Sequence, residues 1–148
     1  MVQAAPFLLV VFLALGAHGL SVQKCNLTGH WKNDLGSNMT IFKVKEDGNF
    51  SGIYHTAVSD TTERIQTSPL RGSQHLPNQL NQPTFGFTVH WTFSDSITVF
   101  TGQCFVEENH EKEVLKTMWL LRKHADKRGN DWKATLVGYN EFTRLEKQ

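Results

Sequence analysis

Cysteine is scarce in this chain of 148 residues: there are two, Cys25 and Cys104. Two thiols cannot complete a zinc site by themselves. Neither sign of charge is in excess, since 15 Lys+Arg against 14 Asp+Glu leave a net charge of +1, and this argues against nucleic-acid or membrane-surface binding driven by bulk charge. Helical periodicity is missing as well, with no stretch keeping a 3.6-residue apolar repeat over three turns. The one long apolar run, Phe7 to Leu15, is too short to span a bilayer. Catalytic signatures are absent too. His30, His55, His75, His90, His110 and His124 are scattered, with no pair at metal-ligand spacing, and His110-Glu111-Lys112-Glu113-Val114 lacks the second histidine of the zinc-protease motif. There is no nucleophile elbow, phosphate loop or dinucleotide fingerprint, so the sequence is not read as an enzyme and calls for no metal or cofactor.

What is present begins with a leader. No Lys, Arg, Asp or Glu precedes Lys24, and the apolar run is followed by small residues. Residues 1–21 read as a secretory signal, with cleavage between 19 and 21: after Gly19, with Ala17 at the minus-three position, or after Ser21. Residues 22–148 then form one domain. In a secreted chain two cysteines favour a single intrachain disulfide, a free pair or intermolecular pairing being the alternatives. Three glycosylation sequons, beginning at Asn26, Asn38 and Asn49, fit the same compartment.

The segment Pro83 to Phe105 gives the clearest structural signal. Phe85, Phe87, Val89 and Trp91 share one parity and Thr84, Gly86, Thr88 and His90 the other, the period of a half-buried strand. Ser94, Asp95 and Ser96 make a turn, and Ile97 to Phe105 is a second strand rich in β-branched and aromatic residues. Upstream, strands are expected over Thr28 to Leu35, Met39 to Lys45 and Asn49 to Val58, with a hairpin turn at Asp47-Gly48. A weaker strand is expected over Arg64 to Leu70, followed by a loop from Arg71 to Gln82. Downstream, a charged turn at Glu107 to Lys112 leads to a strand around Val114 to Leu121. Both faces of that strand are apolar, so it is expected to be buried twice. A basic loop, Lys123 to Asn130, precedes the last strand, Trp132 to Arg144.

Eight short strands without helices predict an all-β fold, an eight-stranded antiparallel up-and-down β-barrel, with a sandwich as the competitor. Such a barrel holds about one small ligand. Four tryptophans, with neutral hydroxyls and amides at strand ends, suit a small and mostly uncharged ligand. Trp31 is expected to plug one end of the barrel instead of touching that ligand.

Several segments together resemble the avidin family, the secreted biotin-binding proteins of egg white. They are Leu27-Thr28-Gly29 with Trp31, Asn33 to Thr40, Pro83 to Val89, Val99 to Phe105, Glu113 to Arg122 and Asp131 to Thr135, and the resemblance extends over essentially the whole chain after the leader. It implies an eight-stranded barrel, usually a homotetramer, with one biotin at the open end of each barrel. By the same resemblance Asn33, Ser37 and Tyr54 donate to the ureido oxygen, like an oxyanion hole without a reaction. Thr56 and Asn140 accept from the ureido N–H groups, and Thr98 sits by the ring sulfur. Trp91, Phe93, Phe100 and Trp119 form an aromatic box, with Leu35, Val58 and Leu121 filling gaps. Trp132 matches a tryptophan lent to a neighbouring subunit's site. Met118, Val137 and Tyr139 match subunit contacts, Tyr139 standing where a familiar egg-white member has a smaller aliphatic residue.

The ligand's valerate carboxylate is implied to meet Ser59, Asp60, Thr61, Ser94 and Ser96. Asp60 stands where the best-known member of that family has a small neutral residue. If its side chain faces the ligand, like charges repel by about 1 kcal/mol or less at solvent-screened distances; if only its backbone N–H is used, nothing is lost. The family-implied role is sequestration of a vitamin from microbes. A lipocalin-like carrier is the alternative, because Gly29-His30-Trp31 also fits the G-x-W pattern that opens that barrel family.

Overall fold

Side-chain alternation decides which residues turn inward, and the computed structural model, which describes residues 25–107 and 112–146, shows it strand by strand. The elements are β1 (Gly29–Asn33), β2 (Asn38–Ile41), β3 (Asn49–His55), β4 (Ser68–Gln74), β5 (Thr84–His90), β6 (Ser96–Glu107), β7 (Lys112–Lys123), a 3-10 helix η1 (Arg128–Lys133) and β8 (Thr135–Arg144). Along β3, Phe50, Gly52 and Tyr54 are buried between exposed neighbours, and along β5 the buried set is Phe85, Phe87 and Val89. Each strand therefore gives one row of side chains to an interior, the period-2 pattern of a sheet with one covered face.

The strands pair antiparallel in sequence order and the sheet closes on itself as a barrel. Closure is made by β1 with β8, in the register Trp31↔Arg144, Lys32↔Thr143 and Asn33↔Phe142. The longest ladder, β6 with β7, runs from Ser96↔Lys123 to Glu107↔Lys112. A closed barrel leaves no unpaired edge, which accounts for strands this short being stable together.

One end of the interior is filled. Trp31, fully buried, donates from Nε1 to the Leu27 carbonyl at 2.8 Å, and the Arg144 guanidinium lies 4.2 Å from its ring centroid. Arg144 also pairs with Glu113 at 2.5 Å and donates to the carbonyls of Thr28 and Asn26. Trp31 thus plugs the barrel as expected. A disulfide joins Cys25 to Cys104 beside it, so the segment before β1 is fastened to β6 across 79 residues of chain.

The structure moves several expected boundaries. The fourth strand is Ser68–Gln74, so residues 71–74, expected as loop, are ladder. Pro69 is tolerated because it pairs only with Ile53, the ladder with β5 beginning one residue later at Leu70. The first three strands are shorter than expected, and Phe42 lies beyond the end of β2 and is exposed. Trp132 belongs to η1, not to the last strand. Strand β7 is not buried along both faces: Leu115 and Thr117 are buried on the inward face, whereas on the other face Val114 is buried but Met118 and Leu120 are about half exposed in the single chain. The leader at 1–21 and the turn residues 108–111 lie outside the described residues.

Replacing both cysteines, Cys25→Ser with Cys104→Ser, is expected to lower unfolding free energy by about 2–4 kcal/mol. Denaturant titration of the oxidised wild type against the double variant measures it.

Candidate ligand-binding site

The end of the barrel away from Trp31 is open. Residues of β1, β3, β6, β7 and β8, with the connections after β1, β3 and β5, line a cavity of about 420 Å³ there. Its floor is aromatic. Phe100 stacks on Tyr54 at 5.7 Å and on Phe87 at 4.6 Å between ring centroids, and Trp91 meets Tyr54 edge-on at 5.4 Å. Phe93 packs edge-to-face on Trp91 at 5.9 Å, and Trp119 lines the facing side. The Trp119 ring has room because its cross-strand neighbour is Gly138, where a Cβ would lie 2.1 Å from the ring.

The polar groups are held in set orientations by their own hydrogen bonds. The turn after β1 carries Gly36 at φ 88°, a left-handed conformation that glycine adopts without penalty. This turn lets Asn33 Oδ1 accept from the backbone N–H groups of Leu35 (3.0 Å) and Ser37 (2.8 Å). With its oxygen committed, Asn33 presents Nδ2 to the Tyr54 hydroxyl at 3.3 Å. Ser37 Oγ accepts from the Ala57 N–H at 2.9 Å, which leaves its hydrogen free to donate. Burial pushes the Tyr54 phenol well above its usual pKa, against opposing hydrogen bonds from Ser37 and Asn33. Tyr54 therefore stays an O–H donor. Asn33, Ser37 and Tyr54 together form a cluster of donors on one side of the cavity.

The facing groups accept. Thr56 Oγ1 gives its hydrogen to the Val58 carbonyl at 2.8 Å, so it can only accept from a ligand. Asn140 gives Nδ2 to Asp34 at 2.8 Å and takes the Trp119 indole N–H on Oδ1 at 2.8 Å, keeping one lone pair of that oxygen free. Thr98 Oγ1 accepts from the Trp91 indole N–H at 2.7 Å. Clustered donors with two acceptors in the same lining suit a carbonyl that carries an N–H on both sides, the pattern of a cyclic urea.

The family model for the avidin family matches residues 21–145. The chain belongs to the avidin family. It is 61% identical over 141 residues to avidin of Gallus gallus, covering 95% of this chain and 92% of that protein. Avidin-related protein 4/5 of Gallus gallus is 60% identical, with 93% and 90% covered. Among solved structures, a biotin binding protein from chicken superposes with a TM-score of 0.79 at 54% identity, covering 83% of this chain and 98% of that one. Xenavidin gives a TM-score of 0.79 at 56% identity, with 83% and 100% covered. The G-x-W tripeptide of this avidin-family chain is therefore no sign of a lipocalin.

The cavity gathers most of the residues expected to meet a ligand. Leu35, Val58 and Leu121 line it with the aromatic box, and Ser59, Asp60, Ser94 and Ser96 stand at its mouth, where the two serine hydroxyls are 2.5 Å apart. Thr61 stands outside the lining, and its hydroxyl accepts from the Glu63 N–H within the loop at 3.2 Å. Trp132 is 81% exposed on η1 and does not line its own chain's cavity. Three contributors went unnoticed in the sequence. Leu136 and Lys123 line the mouth, and Asp34 orients Asn140 from outside the lining. The alternation of β7 and β8 could have pointed to the first two; nothing local signals the third.

Because folding raises the Tyr54 pKa, this phenol leaves stability unchanged below the unfolded value of about 10. Above that pH the unfolded chain ionises while the folded one stays protonated, so stability falls. Denaturation midpoints at about pH 9 and 11 are expected to drop less in Tyr54→Phe than in the wild type.

Proposed function

We propose that this chain is a secreted, non-catalytic protein that binds and sequesters biotin. The observation that carries the reading is the preset polarity of the cavity. The donors Asn33, Ser37 and Tyr54 suit the ureido oxygen, and the acceptors Thr56 and Asn140 suit its two N–H groups. Thr98 and the rings of Trp91, Phe93, Phe100 and Trp119 enclose the thiophane, while Ser59, Ser94 and Ser96 take the carboxylate. A volume of about 420 Å³ accommodates such a molecule in an apolar cleft with few polar anchors. Family membership and the biotin binding protein from chicken support the same ligand. No metal or cofactor is needed, biotin being the bound ligand itself.

The chain works as a homotetramer in this reading. Met118, Val137 and Tyr139 are 55%, 67% and 75% exposed on the outer face of β7 and β8, an apolar patch that suits burial against another copy. Leu35 and Val58 leave an apolar rim about half exposed at the mouth, and Trp132 of a neighbouring copy is the residue to cover it. Secretion is supported by the leader at 1–21, before the domain at 22–148, and by the Cys25–Cys104 disulfide. Asn26, Asn38 and Asn49 are all exposed, as glycan attachment requires. Withholding biotin from microbes is the role that follows from tight binding outside the cell.

Biotin titrated into the secreted protein is expected to change tryptophan fluorescence to a sharp end point at one biotin per chain, with a native mass of four chains. Binding of retinoid or fatty acid with no response to biotin would reject this function in favour of a lipid carrier.

A further inference from the structure

A charged pair spans the cavity mouth, and neither partner's charge belongs to the urea-binding set. Lys123, at the end of β7, pairs through Nζ with the carboxylate of Asp60 in the connection after β3, a residue 63 positions away in sequence. Both side chains line the cavity. The lysine's backbone is fixed from both sides: its N–H donates to the Ala134 carbonyl at 2.7 Å, and the next N–H, of His124, donates to Asp95 at 2.9 Å. Lys123 is also the cross-strand neighbour of Ser96, whose hydroxyl meets that of Ser94. The lysine therefore lines the same cavity as the two serines and starts from a backbone position directly across from one of them.

We propose that Lys123 is a specificity-determining residue that selects ligands with a free carboxylate over neutral ones, and that Asp60 sets how much of its charge is available. This inference rests on the biotin reading given above. An ammonium has three donors. One serves Asp60, and the others can reach a second carboxylate, so the lysine bridges the two acids and cancels the repulsion that Asp60 alone would exert on the ligand. Without Lys123, Asp60 opposes a carboxylate at the mouth. Without Asp60, the whole ammonium charge serves the ligand. Lys123 is 38% and Asp60 63% exposed, so the effect belongs in the range of partly screened pairs.

The test is competition of biotin and of biotinamide, its neutral primary amide, against labelled biotin, in the wild-type protein, Lys123→Met and Asp60→Asn. The preference for biotin over biotinamide is expected to fall roughly two- to fivefold in Lys123→Met and to rise in Asp60→Asn, both changes shrinking in high salt. Wild-type binding of both compounds with a preference that Lys123→Met leaves unmoved would overturn the role of Lys123 while leaving the biotin reading intact. Binding of neither compound by the wild type would overturn the biotin reading, and this inference with it.

Discussion

Everything at the open end depends on the meeting of the first strand with the last. The ladder that closes the barrel is the shortest in it, from Trp31↔Arg144 to Asn33↔Phe142. Hydrogen bonds beyond the ladder reinforce it. The Asp34 N–H donates to the Glu141 carbonyl at 3.1 Å, and its carboxylate accepts from the Glu141 N–H at 3.3 Å and from Asn140 Nδ2 at 2.8 Å. The same contact that closes the sheet thus brings Asn33 and Asn140, 107 residues apart in the chain, into one cavity and turns the second amide the right way round. At the far end, Arg144 joins β8 to Glu113 of β7 and to the backbone before β1 over the buried Trp31. Closure and plug together hold a rigid cup.

Rigidity matters because the ligand groups are neutral. A neutral hydrogen bond contributes only about 0.5–1.5 kcal/mol net, so several must form at once without further ordering. Three polar side chains in the cup already spend the atom that would otherwise make them ambiguous: Asn33 its oxygen, Thr56 its hydrogen, Asn140 its nitrogen. The free valence left on each is of one kind. Aromatic walls around these groups exclude water and raise the worth of every bond formed. The mouth follows a different logic, with exposed apolar residues beside an ion pair, and there the protein meets either another copy of itself or solvent.

Much of this arrangement was legible along the chain. Alternation over Phe85 to Trp91 gave the inward row of β5 directly, whereas β6 turns Thr98, Phe100 and Cys104 inward and leaves the apolar Ile97, Val99 and Phe105 on its outer face. The resemblance supplied most of the cavity lining. What stayed hidden has physical reasons. The fourth strand slipped toward its C-terminal side because Gly72 and the amides after it read as loop, although Arg71, Gly72 and Ser73 pair with both β3 and β5. The six-residue 3-10 helix around Trp132 is too short to show a period. Met118 and Leu120 are apolar without being covered in the single chain, since apolar character alone does not tell a covered face from an exposed one. Asp60 was read as an uncompensated charge. Its partner Lys123 lies far away in sequence, and only barrel closure brings the two together.

The central claim is that a preset cluster of donors reads a urea oxygen. It is tested most directly by comparing the affinity of biotin with that of its analogue in which the ureido oxygen is replaced by sulfur, a poorer acceptor that leaves both N–H groups in place. The account predicts binding weaker by at least about tenfold, roughly 1.4 kcal/mol, for the sulfur compound. Equal affinity for the two would contradict it.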